Sequence, residues 1–271
     1  SEEQIQVIRE EYEVDGNIVE QYVAWAGHVI HGDLGTSIYK NRPVTELLAE
    51  KLPATLLLMG TALLLSLIVS IPLGLWAGLK KNKMADHVIS VLSYFGISVP
   101  QFWLAMILII IFALTLDLLP SGGMRTVNVN TTADLLRHLI LPAVVLSFSN
   151  TAVFTRYIRS STISQLEEDY VLTATSILTR HVLKNCLLPI ITLVGINLAG
   201  LVCGSFVIES VFSWPGIGRL AMDAVNSRDY PLIMGFTMFS CTILILGNFL
   251  ADILYAVADP RIKQGMEKKN G

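Results

Sequence analysis

Five stretches of this chain carry no Asp, Glu, Lys, Arg or His. They are Ala54–Leu79, Val88–Leu116, Leu139–Thr155, Leu187–Ile208 and Leu232–Ala251. A hydrocarbon core about 30 Å thick needs about 20 apolar residues per helix. In lipid a spanning segment must also satisfy its own backbone, which favours helices. The third run is short, and Tyr157 and Ile158 extend it. The expected class is an all-α polytopic membrane protein. Its five visible spans fall at about 54–79, 88–116, 139–158, 187–208 and 232–254. Only 15% of the residues are charged, against roughly 25% in soluble domains, which disfavours buried helices of a soluble core. Cys186, Cys203 and Cys241 lie in or beside these runs, and an odd count there argues against a disulfide framework.

Lys and Arg in short loops mark the cytoplasmic side. Lys80, Lys81 and Lys83 follow the first run, Arg156 and Arg159 the third, and Arg261, Lys263, Lys268 and Lys269 the last. These segments are expected inside, with the C-terminus cytoplasmic and the tail at 263–271. Five spans then place residues 1–53 outside. That region is polar and acidic, so an upstream first span or export signal is expected before Ser1.

Residues 1–53 read as an extracytoplasmic region with amphipathic helices. One helix covers Ile18 to Ala26, and a second begins at Pro43, runs to Leu52 and lies on the membrane surface. His28 and His31 stand three apart, a spacing that suits a metal. No third ligand is near in sequence, so the favoured reading is an interfacial helix face. Pro72, Pro100, Pro142 and Pro189 can kink their spans. Gly74 with Gly78, and Gly200 with Gly204, repeat at the four-residue spacing that lets helices pack closely. Glu209 and Asp252 read as interface charges, and no histidine falls within a span. That scarcity disfavours proton relays and ion coupling.

Two polar segments stand out. Glu209 to Arg219 contains Phe212, Trp214, Pro215 and Gly216; the aromatic residues suit an interface, and Trp-Pro-Gly forces a turn. A short helix over Leu220–Val225 and the corner Arg228–Pro231 follow. This segment reads either as a gate at the outer mouth, with Arg219 and Asp229 among its candidates, or as a plain anchor. The second segment, 159–186, is a charged loop between long apolar runs. Phosphate loops, zinc spacings and nucleophile elbows are missing from the sequence, so if the chain serves active transport, the energy must come from a partner.

The combination Asp169-Tyr170-Val171, Thr173-Ala174, His181-x-Leu183-x-Asn185 and Pro189 resembles the coupling loop of ABC importer permeases, most of all the peptide/nickel branch. Gly32-Asp33-Leu34-Gly35-x-Ser37, Leu52-Pro53-Ala54-Thr55, Ile71-Pro72-Leu73-Gly74, Leu119-Pro120-Ser121-Gly122-Gly123, Phe212–Arg219, Arg228–Pro231 and Asp259-Pro260-Arg261 agree with that branch. The resemblance implies a type I ABC importer permease fold over 54–262, with six spans counting a missing N-terminal one. It implies that Glu168, Asp169, Tyr170, Thr173, Ala174, His181 and Asn185 couple to an ATPase. It further implies a homologous second permease, one or two cytoplasmic ATPase subunits holding ATP and Mg, an extracytoplasmic solute-binding protein, and no cofactor or nucleic acid on this chain. The implied site is the cytoplasmic (inner) membrane of a bacterium or archaeon. The implied cargo is a peptide or a nickel/metal chelate. The family loop is longer after its alanine and contains a Gly, so either this loop is shortened or residues are missing from it; the second is favoured, and a break near Ala174 is expected. The alternative class is an ion-coupled carrier or channel.

Overall fold

A computed structural model describes residues 17–167 and 205–258. The coupling residues Glu168, Asp169, Tyr170, Thr173, Ala174, His181 and Asn185 lie outside the described residues. So do Gly200, Gly204, the expected break near Ala174 and most of the fourth apolar run.

Eight α-helices are described. The first, α1, is Ile18–Ile30, capped by Asn17, whose side chain accepts from the Val19 and Glu20 N–H groups. Glu20 reciprocates towards the Asn17 backbone, completing a capping box. Then come α2 (Val44–Leu79), α3 (Met84–Ser98) and α4 (Gln101–Leu108), the last continued by a π-helix, Ile109–Thr115. They are followed by α5 (Thr132–Leu166), α6 (Phe206–Val211), α7 (Ile217–Ser227) and α8 (Tyr230–Ala258). Three of these, α2, α5 and α8, are long and apolar enough to cross a membrane.

Several boundaries differ from the sequence expectation. The surface helix from Pro43 to Leu52 and the first span are one helix, α2, with Pro53 and Pro72 inside it. Leu47 and Leu48 pack on Ile217, Leu220 and Leu232, so tertiary burial carries the helix through Pro53. The second run, by contrast, does not form one straight helix. It bends by 97° between α3 and α4, at Val99-Pro100. Pro100 has no N–H to give and disfavours helical geometry at Val99, which is extended, with ψ 122°. The third span starts seven residues early, at Thr132, capped by the Thr131 hydroxyl. The helix expected over Leu220–Val225 covers Ile217–Ser227.

The centre of the fold is the pair α2 and α5, which run side by side in the same direction. A Cβ on Gly74 would fall 2.6 Å from Ile158 Cβ, and one on Gly78 would fall 2.6 Å from Thr162 Cβ. At these two glycines the helices approach too closely for a side chain. Helix α3 runs antiparallel to α5, with Gly96 against Ala152. An apolar core of Leu58, Leu139, Leu146, Ile208, Phe212 and Trp214 closes the end of the bundle where α2 and α5 begin.

Candidate functional site

Two polar constellations, one at each end of the α2/α5 pair, carry the chemistry among the described residues. The loop-rich end joins segments far apart in sequence. Glu209 is fully buried, with 0% exposure, where the sequence suggested an interface charge. Its carboxylate accepts from Thr55 Oγ1 at 2.8 Å, Ser205 Oγ at 3.0 Å and the Arg219 backbone N–H at 3.1 Å, and from the Gly218 N–H. Thr55 Oγ1 in turn accepts from the Ile217 N–H at 2.8 Å. The first three N–H groups of α7 are therefore satisfied by Thr55 and Glu209. A helix N-terminus leaves such donors orphaned and favours negative charge. This is why a buried carboxylate stands here without a cation beside it. Burial pushes the Glu209 carboxyl above its ordinary value, and the hydrogen bonds offset only part of that push.

The turn that aims α7 at this carboxylate comes from the Trp-Pro-Gly segment. Ser213 takes a left-handed conformation, with φ 50°, and Trp214 N–H donates to Glu209 O at 2.7 Å. Gly216 has no room for a side chain, because a Cβ would lie 2.3 Å from Glu209 Oε2. Phe212 and Trp214 are 1% and 0% exposed, so they do not anchor in an interface. Both pack in the core, and Trp214 Nε1 donates to Ala54 O at 2.9 Å. Half-buried Pro215 follows. The Arg219 guanidinium does not meet Glu209; it donates to Ser213 O at 2.7 Å.

Asp229 makes the second fastening. It is 1% exposed and accepts from Ser37 Oγ at 2.5 Å, the Tyr39 N–H at 3.2 Å and the Ile38 N–H at 3.3 Å. It also caps α8 through the Leu232 N–H at 3.3 Å. The corner before it is made by Arg228 in the left-handed region, φ 56°. Burial alone would raise the Asp229 carboxyl, but the converging hydrogen bonds hold it below its ordinary value.

A third fastening explains the Gly122-Gly123 pair. The Gly123 N–H donates to Phe212 O at 2.7 Å, and a Cβ on Gly122 would sit 2.7 Å from that same oxygen. His138 lies within α5, contrary to the expectation that no span holds a histidine. It is 7% exposed, with Nδ1 3.0 Å from Gly122 O and Nε2 3.2 Å from Thr126 Oγ1.

At the other end, after Lys80–Lys83, helices are joined by ion pairs. Asp86, 1% exposed, takes both Nε and a terminal nitrogen of Arg159, the second at 2.8 Å. It also accepts from the Asn82 N–H at 2.9 Å. Lys81 Nζ meets Glu167 Oε1 at 2.5 Å. The Arg156 guanidinium lies over the Tyr94 ring, 4.5 Å from its centroid. Among the described residues, His, Cys, Asp and Glu form no metal-holding cluster. His28 faces Asp33 at 3.7 Å instead.

Sequence reading found Phe212, Trp214, Gly216, Arg219 and Asp229 as a group and placed them at one mouth; the structure brings them to one end of the bundle. It missed Thr55, Ser37, His138 and Asp86. Ser37 and Thr55 stood inside segments already singled out, Gly32–Ser37 and Leu52–Thr55. The available signal was a hydroxyl at the edge of an apolar run.

The family model described as binding-protein-dependent transport system inner membrane component matches residues 70–264. The oligopeptide transport system permease AppB of Bacillus subtilis is 42% identical over 252 residues, covering 90% of this chain and 80% of the relative. The dipeptide transport system permease DppB of Lactococcus lactis is 35% identical over 269 residues, covering 96% of this chain and 86% of the relative. A chain of the methionine ABC transporter MetNI, in an inward-facing conformation, superposes with a TM-score of 0.62 at 14% identity. That match covers 79% of this chain and 96% of the other, and it is a likeness of fold.

Proposed function

We propose, from the premise that this chain belongs to the binding-protein-dependent transport system inner membrane component family, that it forms one side of the path by which an ATP-driven importer takes up small peptides. The chain is a multi-pass permease with the type I ABC importer fold. It is a transport component and not an enzyme.

One observation carries the substrate class: alignment over nine-tenths or more of this chain with permeases named for oligopeptides and dipeptides. That favours peptides over the nickel chelates of the sequence expectation. In this reading a second permease completes the path, and one or two ATPase subunits bind ATP and Mg. A solute-binding protein delivers cargo at the loop-rich end. The lysine-rich end and the C-terminus face the cytoplasm, following the positive-inside rule.

The geometry supports a lever. Helix α5 has 35 residues, about 52 Å at 1.5 Å per residue. One end is held by His138 at the Gly122-Gly123 loop, and the other runs into the segment that resembles the coupling loop. Displacement of that segment by an ATPase would move α5 as a rod, together with α2, to which Gly74 and Gly78 bind it closely. The test is ATPase activity of the complete complex with its binding protein. Stimulation by dipeptides or short oligopeptides is expected. Stimulation by a nickel chelate, with none by peptides, would overturn the substrate class.

A further inference from the structure

A groove of about 410 Å³ opens between α3 and α5 near the lysine-rich end, within the size range of small-ligand pockets. Ser90, Tyr94 and Ile97 line it from α3, and Val153, Arg156, Tyr157, Arg159 and Ser160 from α5. Two guanidinium groups border it, in different states. Arg159 is neutralised by Asp86, which takes two of its nitrogens. Ser90 is engaged by the same aspartate. Arg156 meets no carboxylate among the described residues; its contact is the face of Tyr94. A guanidinium stacked on a ring keeps its edge N–H groups free, and their fork matches a carboxylate or phosphate. Among the described residues the groove thus holds one uncompensated positive charge, and Tyr157 and Ser160 also line it.

We propose that this groove is an oxyanion-binding station, in which Arg156 holds a carboxylate or phosphate group and Tyr94 keeps the guanidinium in place. Two sources supply that chemistry: the free carboxylate of a peptide in transit, and the phosphate of a lipid headgroup. The first rests on the peptide-importer reading; the second does not.

Phenylglyoxal, which modifies arginine, tests this on the complete complex in the phosphate-free detergent dodecyl maltoside, with the rate at Arg156 followed by mass spectrometry. One arm adds N-acetyl-dialanine or its C-terminal amide. The other adds phosphatidylglycerol without peptide. Slowing of several-fold by the carboxylate and not by the amide assigns the station to cargo. Slowing by phosphatidylglycerol assigns it to lipid. Tyr94→Ala should abolish the protection while Arg156 still reacts. An unchanged rate in both arms, or equal slowing by acid and amide, would overturn the proposal. A failure of the peptide reading itself would show separately, as ATPase activity that peptides do not stimulate.

Discussion

Glu209 and Asp229, at the loop-rich end, accept from hydroxyls and backbone N–H groups, whereas Asp86 and Glu167, at the lysine-rich end, pair with Arg159 and Lys81. The difference separates two mechanical roles. A carboxylate that caps a helix and grips a turn fixes the backbone of three segments at once. No side-chain rearrangement replaces those donors. An ion pair made by a long cationic side chain, such as Arg159 or Lys81, tolerates sliding of the helices that carry it, because that stem can follow. The loop-rich end therefore reads as a fixed clasp, and the lysine-rich end as a yielding joint beside the segment proposed to meet the ATPase.

Removing the clasp should have the largest effect. Glu209→Ala leaves Thr55, Ser205 and the α7 N–H groups without their acceptor, a loss of about 3 kcal/mol or more. The thermal unfolding midpoint of the detergent-solubilised complex should drop sharply, and changing Arg219 as well should not restore it. Asp86→Asn should come next, at about 2 kcal/mol, because it strands a partly buried guanidinium. Here a second change should rescue: Asp86→Asn with Arg159→Gln should recover much of the midpoint. If the Glu209 variant is rescued by a side-chain partner, or the Asp86 variant is not, the contrast between clasp and joint fails.

Acidity sharpens the contrast within the clasp itself. Asp229 is held below its ordinary value, so its contribution is complete above that ordinary value and is lost as pH falls through the folded one. Glu209 is pushed above its ordinary value, so its contribution is present below that ordinary value and is lost as pH rises through the folded one. Midpoints measured against pH should therefore show wild type gaining on Asp229→Asn with rising pH. Against Glu209→Gln, wild type should lose ground. Parallel slopes for the two pairs would contradict the different environments drawn for them.

Smaller effects belong to the shaft and the exposed joint. Gly78→Ala would drive a methyl into Thr162, about 1–3 kcal/mol of overpacking unless α2 and α5 separate. Lys81→Ala breaks a pair that is half exposed on both sides, worth about 0.5 kcal/mol. A stability change larger than the Asp86 effect would show that the Lys81–Glu167 contact is more than a surface pair.

Much of this arrangement was legible in sequence because its signals are local. Charge-free runs marked α2, α5 and α8. Pro100 marked the 97° bend, although the sequence read it as a kink within one span. Four-residue glycine spacing identified Gly74 and Gly78, and the left-handed Ser213 turn sits where Trp-Pro-Gly demanded one. What escaped has its cause elsewhere in the chain. Pro53 does not end a helix because Leu47 and Leu48 are buried against Ile217 and Leu232. Glu209 looked like an interface charge because Thr55, the hydroxyl that accommodates it, lies 154 positions away. Phe212 and Trp214 looked like membrane-surface aromatics, since composition does not distinguish a belt from a core.

ATP-dependent uptake tests the central claim most directly. Proteoliposomes carrying the complete complex, with binding protein outside and ATP inside, should accumulate a labelled short peptide. Accumulation should stop without ATP or without the binding protein. Uptake by this chain alone, unchanged when ATP is removed, would contradict the account and favour an ion-coupled carrier or channel.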